Sequence, residues 1–230
     1  MSNRETNHQE HDQLDNVQEV LNTTEQFIEK YKNQLLAGVA IVVLAVSGFF
    51  AFQHYYLIPK ENKAEAAMYK AEMAFEKDSF NLALYGNSDF DGFESIINEY
   101  GMTKAANLAT AYAGVCYYHL GEYEKAISSL KDFKGSDQMV SPELIGLIGH
   151  SYVELGKLTD AVKYFEKASD VANNDLISPM FLLEAGKLYL SLGNNKSAES
   201  TFSKVKSSYP NSVEAIEIDK YIEKARIQVK

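Results

Sequence analysis

Tyr117-Tyr118-His119-Leu120-Gly121-Glu122-Tyr123-Glu124-Lys125-Ala126 contains a phrase that the chain uses three times. Leu120-Gly121 is followed by Ala126, Leu155-Gly156 by Ala161 and Leu192-Gly193 by Ala198, with the glycines 35 and then 37 residues apart. A period in the mid-thirties, with Gly between two helical stretches, marks stacked helix-turn-helix units. Such units cannot bury their apolar faces alone, so they stack into a solenoid and offer a long groove to a partner. The repeat therefore points to binding and away from catalysis.

Working outward, Ala109 to Leu120 reads as a helix with Ala113, Gly114 and Tyr117 on one face. Gly121 ends it, because Gly takes the left-handed C-terminal conformation without steric cost. Glu122 to Phe133 reads as the second helix, with Tyr123, Ala126, Ile127 and Leu130 inward. The next unit supplies Ile148, Gly149 and Tyr152, then Leu158, Ala161, Phe165 and Ala168. The third supplies Ala185, Gly186 and Tyr189, then Ala198, Phe202, Val205 and a stop at Pro210. Small residues let paired backbones approach, while Tyr, Phe and Leu fill the volume between units.

A degenerate unit precedes these. Lys63 to Lys77 is an Ala-rich helix (Ala64, Ala67, Met68, Ala71, Phe75), and Phe93 to Tyr100 is its partner, carrying Ile96 and Ile97. Ser212 to Gln228 reads as one closing helix, with Val213, Ile216, Tyr221, Ile222 and Ala225 inward. Its charged outer face suits the end of a solenoid.

This order of small, Tyr, Leu-Gly, Ala, aromatic and Pro positions resembles the tetratricopeptide repeat, in register over residues 107–212. Thr110, Ile145 and Leu182 stand where that repeat usually has Trp, and Phe133 where it has Ala. The resemblance implies that the first helix of each unit lines the groove. Its lining would then include Leu108, Ala111, Val115, Tyr118, His119, His150, Val153, Lys187 and Leu190. His119 and His150 read equally as groove residues or as partly exposed side chains of no consequence. Tetratricopeptide domains that hold a chaperone's C-terminal carboxylate place several Lys, Arg and Asn in the groove. Lys187 alone stands here, so an apolar peptide or helix is the expected ligand.

Leu35 to Phe52 carries no charge, and the apolar character continues to Ile58 past Gln53 and His54. A helix over Leu35 to Phe52 spans about 27 Å, close to the hydrocarbon thickness of a bilayer. Tyr31 on one side and Tyr55 and Tyr56 on the other suit the interfaces. A buried core helix is the competing reading, but nothing else in the chain is hydrophobic all round. The segment begins well inside the chain and no small-residue cleavage site follows, so it reads as an uncleaved anchor. Pro59 is expected to break or tilt the chain after it. Lysines flank both sides (Lys30 and Lys32, Lys60 and Lys63), so orientation rests on architecture: a short cytoplasmic tail and a C-terminal domain across the membrane.

The expected parts are a tail and amphipathic helix (1–34), the anchor (35–58), a linker with the degenerate repeat (59–106), three repeats (107–212) and a capping helix (213–230). In fold class this is an all-α tetratricopeptide-repeat solenoid preceded by one transmembrane helix. Within the tail, Met1 to Asp12 reads as disordered. Leu14, Val17, Leu21, Ile28, Tyr31 and Leu35 then alternate in steps fitting an amphipathic helix, which lies at the interface or pairs with another helix. The formal charge is -10, of which -4 falls before Leu35 and -6 from there onward. No basic stripe offers a footprint for nucleic acid.

Candidate chemistry is sparse. The single cysteine, Cys116, excludes an intramolecular disulfide and reads as a small buried hydrophobe. His8 and His11 lie in an acidic tail and carry no metal assignment. Asn87, Asp89, Asp91 and Gly92 match the opening of an EF-hand loop, but Asn98 stands at the place of the bidentate Glu and Glu94 at an apolar place. A capping box, Asp91 with Glu94, explains the same residues. No phosphate loop, nucleophile motif or metal-ligand spacing is present, so neither enzyme activity nor a cofactor is expected.

The order of parts from about Glu25 onward resembles the single-pass, tetratricopeptide-containing ancillary subunits of the bacterial Sec translocon, the YfgM-like family. The likeness rests on Phe27-Ile28-Glu29-Lys30-Tyr31, on Asn33-Gln34-Leu35-Leu36 at the membrane boundary, on Gly38 and Gly48 within it, and on the repeats after it. It implies a bacterial inner-membrane protein whose repeats face the periplasm, where translocon subunits, exported chains or periplasmic chaperones would be the partners. An envelope adaptor serving outer-membrane or cell-wall assembly is the alternative.

Overall fold

The computed structural model describes residues 5–227, with side chains from Glu29 onward. Contacts divide the chain into one unit ending at Ile58 and another beginning at Pro59.

The first unit is a single helix, α1 (Glu5–Phe52), followed by a π-helical turn, Gln53–Leu57. The helix starts inside the stretch expected to be disordered. The expected apolar face from Leu14 to Ile28, and His8 and His11, lie outside the described side chains. From Leu35 to Phe52 every side chain is exposed, and the helix is long and apolar enough to cross a membrane.

The second unit opens with α2 (Ile58–Phe75). Pro59 does not break the helix, which runs through it to Phe75; the π-helical turn Gln53–Leu57 lies just before it. Next come α3 (Phe80–Tyr85), a minimal hairpin of β1 (Gly86–Asn87) and β2 (Phe90–Asp91), and α4 (Phe93–Tyr100). The connection expected between the two helices of the degenerate unit therefore has structure of its own. Asn87 Oδ1 closes the hairpin by accepting from the N–H groups of Asp89 (2.8 Å) and Phe90 (3.2 Å). The capping box is not formed. Gly92, packed on the backbone of Gly86 and Leu84, precedes α4, so Asp91 stays in the strand and accepts from Ser95 Oγ at 3.2 Å. Glu94 instead accepts from the Tyr117 hydroxyl.

Three helix pairs follow: α5 (Lys104–His119) with α6 (Tyr123–Asp132), α7 (Val140–Glu154) with α8 (Leu158–Ala172), and α9 (Ser178–Ser191) with α10 (Asn195–Ser208). Each of these helices packs chiefly on those before and after it in the chain. The Leu-Gly phrase has one geometry at all three turns. Gly121, Gly156 and Gly193 have φ of 77°, 69° and 70°. The next residue's N–H reaches back to the carbonyl of the repeat tyrosine: Glu122 to Tyr117 (2.9 Å), Lys157 to Tyr152 (2.8 Å) and Asn194 to Tyr189 (2.9 Å). These are Schellman caps, which satisfy carbonyls that a helix end leaves bare.

Within each pair, Gly on the first helix receives a large side chain from the second. A Cβ added at Gly114 would lie 2.6 Å from Leu130, one at Gly149 would lie 2.7 Å from Phe165, and one at Gly186 would strike the Phe202 ring. Between units, Phe165 stacks on Phe181 with centroids 5.9 Å apart, and the Tyr189 hydroxyl donates to Glu166 at 2.9 Å.

The described residues close with a 3-10 turn, Glu214–Glu217, and α11 (Ile218–Ile227), instead of one closing helix. Ser212 Oγ accepts the N–H of Ala215, and the tight turn rotates the face. Val213 and Ile216, expected inward, are 78% and 79% exposed; Ile222 and Ala225 are buried and Tyr221 half-buried as expected, and Ile218 joins them in the core.

Candidate protein-binding groove

The first helices of the three clear pairs carry the residues assigned to the groove. Leu108 and His119 are exposed, while Val115, Tyr118, His150, Val153, Lys187 and Leu190 are half-buried. Ala111 does not line a surface. It is buried in a cluster with Ile127, Leu130, Leu144 and Ile148, because its short side chain sits where α5 meets the next unit. Val115 packs against the same cluster, Val153 against the core of the α7–α9 region and Leu190 against the last core.

His119 belongs to an aromatic group. Its ring stacks on Phe80 with centroids 4.2 Å apart, and Tyr118 meets both His119 and Tyr123 edge-on, each at 5.7 Å. The half-turn before the Gly121 cap is thereby pinned to α3, an element without an equivalent in the later units. His150 lies edge-on to Phe165 at 4.8 Å. Burial lowers its pKa from the usual 6.5, against the opposing pull of Glu184 and Glu154.

Those two carboxylates are not among the expected lining residues. Glu154 also acts on Tyr118, whose pKa is raised first by burial and then by this charge. Lys187 pairs with Glu184 at 2.8 Å, so the cation among the residues assigned to the groove is already matched. Around His150 the surface is therefore apolar and aromatic, with one carboxylate, Glu154, beyond the Lys187–Glu184 pair. Helical spacing could have found the pair, since Glu154 lies four residues after His150 and Glu184 three before Lys187. Such a surface disfavours a ligand's carboxylate and suits an apolar segment bearing a basic side chain.

Elsewhere, a cleft of about 390 Å³ is lined by Glu94, Thr110, Tyr117, Ser129 and Asp132, among others. Among the described residues, no group of three or more His, Cys, Asp or Glu lies together as metal ligands. Cys116 is buried, and burial pushes its thiol pKa up to about 12. It is a packed apolar group and not a nucleophile.

Two family models, both for the tetratricopeptide repeat, match residues 112–136 and 147–213. A TPR repeat-containing protein of Methanocaldococcus jannaschii is 32% identical over 137 residues, covering 58% of this chain. The matched stretch is only 24% of that protein's length. The chain thus contains tetratricopeptide repeats, which generally serve as protein-interaction scaffolds and not as catalysts.

Proposed function

We propose that this protein is a membrane-anchored interaction scaffold whose repeats hold an apolar segment of a partner protein. The observation that carries this reading is the chain order: the uncovered apolar run from Leu35 to Phe52 is followed directly by a tetratricopeptide solenoid. The run spans the bacterial inner membrane, with the tail in the cytoplasm and the repeats in the periplasm. There the protein acts as an ancillary translocon factor that passes exported chains toward chaperones. The resemblance of the chain from about Glu25 onward to the YfgM-like family supports that assignment, and the apolar, aromatic face around His150, with Glu154 beside it, supports a ligand of mixed apolar and basic character. The groove consists of Leu108, Val115, Tyr118, His119, His150, Val153, Lys187 and Leu190, with Glu154 and Glu184 added.

A photo-crosslinking residue at Tyr118 in native membranes tests the partner. Capture of translocon subunits or exported chains supports this role. Capture only of wall or outer-membrane assembly factors would transfer the scaffold to the envelope-adaptor role. Protease treatment of spheroplasts tests the compartment: digestion of residues 60–230 is expected, and their protection would overturn it.

A further inference from the structure

The connections that lead into the first helix of each unit share a feature apart from the groove. Met102, Met139, Leu176 and Val213 recur every 37 residues, each within two residues of the next helical segment. Apolar residues at such places often fold back to staple the helix start. These do not: Met102, Met139 and Leu176 are 62%, 54% and 70% exposed, Val213 is more so, and Val140 beside Met139 is also exposed.

Hydrogen bonds join the first three of these connections along one edge. The Glu61 carboxylate accepts the N–H groups of Lys104 and Ala105, both at 2.8 Å, tying the start of α2 to the start of α5. Asn107 and Lys134 exchange two bonds, at 3.0 and 2.9 Å. Asn174 Nδ2 donates to the carbonyl of Gln138 at 3.0 Å, linking the two later connections. Glu61 lies three residues after Ile58, where the apolar run ends. The edge with the exposed apolar side chains is thus the edge at which the chain comes from that run.

We propose that this edge rests on the bilayer interface, with Met102, Met139, Val140, Leu176 and Val213 seated at headgroup level. The proposal rests on the anchor reading above. Short covalent continuity with a membrane helix selects the lipid surface over a soluble partner as the occupant. The charges nearby are mixed, Lys104 and Lys134 against Asp137, Asp175 and Glu214, so adhesion does not need anionic lipid.

The chain contains no Trp, so one introduced Trp reports alone. Three full-length variants, Leu176→Trp on this edge, Lys157→Trp beside the Gly156 turn and Phe49→Trp in the apolar run, are reconstituted in phosphatidylcholine vesicles. The vesicles carry nitroxide lipids labelled near the glycerol or deep in the acyl chain. Phe49→Trp should be quenched by the deep label. Leu176→Trp should be quenched by the shallow label severalfold more than Lys157→Trp, with blue-shifted emission. If Phe49→Trp is quenched but Leu176→Trp behaves like Lys157→Trp, the anchor stands and this proposal falls. A blue shift of Leu176→Trp without quenching means that protein covers the edge, a second copy or a partner, and also overturns it. If Phe49→Trp escapes quenching, the anchor reading fails and this proposal fails with it.

Discussion

The α7–α10 region and the α2–α4 region solve the same packing problem by different means. In the former, one Gly on the first helix faces one Phe on the second, Gly149 with Phe165 and then Gly186 with Phe202. In the latter, Ala71 is buried on the first helix and the second is cut to α4. The volume is filled by Phe75, Phe80, Phe93 and Tyr112, with Phe93 stacked on Tyr112 at 5.0 Å and Phe75 edge-on to it at 4.9 Å. A pair repeated at fixed spacing can be changed one unit at a time. An aromatic cluster drawn from several helices has to be changed as a whole.

The sharpest test of that difference is Phe165→Ala. It removes a fully buried ring that touches Gly149, His150 and Phe181, and should cost about 3–5 kcal/mol by chemical unfolding. Hydrogen exchange should show protection lost in α7–α9 and retained in α2–α4. Loss throughout would mean that the two regions fold as one and would break the comparison. Next in size, Gly186→Ala should destabilise by about 1–3 kcal/mol, because overpacking against the Phe202 ring outweighs the ~1 kcal/mol that Ala gains in helix propensity. Gly114→Ala should cost a comparable amount, since its Cβ would meet Leu130 at Cγ and Cδ2, 2.6 Å away, and at the backbone nitrogen, 3.3 Å away.

A smaller effect separates the two kinds of tyrosine. Tyr189→Phe loses the hydroxyl bond to Glu166 and should cost about 1 kcal/mol. Tyr152→Phe should cost less, because Lys131 stands at the place of Glu166 and the hydroxyl there only accepts from that exposed side chain. The smallest effect concerns His150. Its folded pKa lies below 6.5, so on acidification the unfolded chain takes up the proton first. Stability from this group is therefore present above 6.5 and is lost as pH falls toward the lowered folded value, where Glu154 and Glu184 limit the loss. Melting curves of His150→Gln across that window should show a shallower decline.

How much of this is legible depends on whether a signal is local. Leu-Gly predicts its turn because the left-handed glycine and the cap depend on a few adjacent residues. The helix from Phe93 to Tyr100 is readable for the same reason. Ala111 is misplaced by its sequence position because a helix stripe says nothing of what the next unit presses against it. Val213 and Ile216 are misplaced because an α-helical period does not carry across a 3-10 turn. The connections hide a second phrase, Asp137-Gln138-Met139-Val140-Ser141-Pro142 against Asn174-Asp175-Leu176-Ile177-Ser178-Pro179. Its mechanism shows only in the fold: Asp137 and Asn174 accept N–H groups at the starts of α7 and α9. Those contacts with Ser141 and the backbone hold the Asp137 carboxyl well below the usual carboxylate range.

Contacts mainly between neighbours in the chain have a mechanical consequence. A force applied at the C-terminus, with the other end held, first loads α11 and its packing on α10, and only then the unit behind it. Such a molecule yields stepwise and can re-form each step as the load falls.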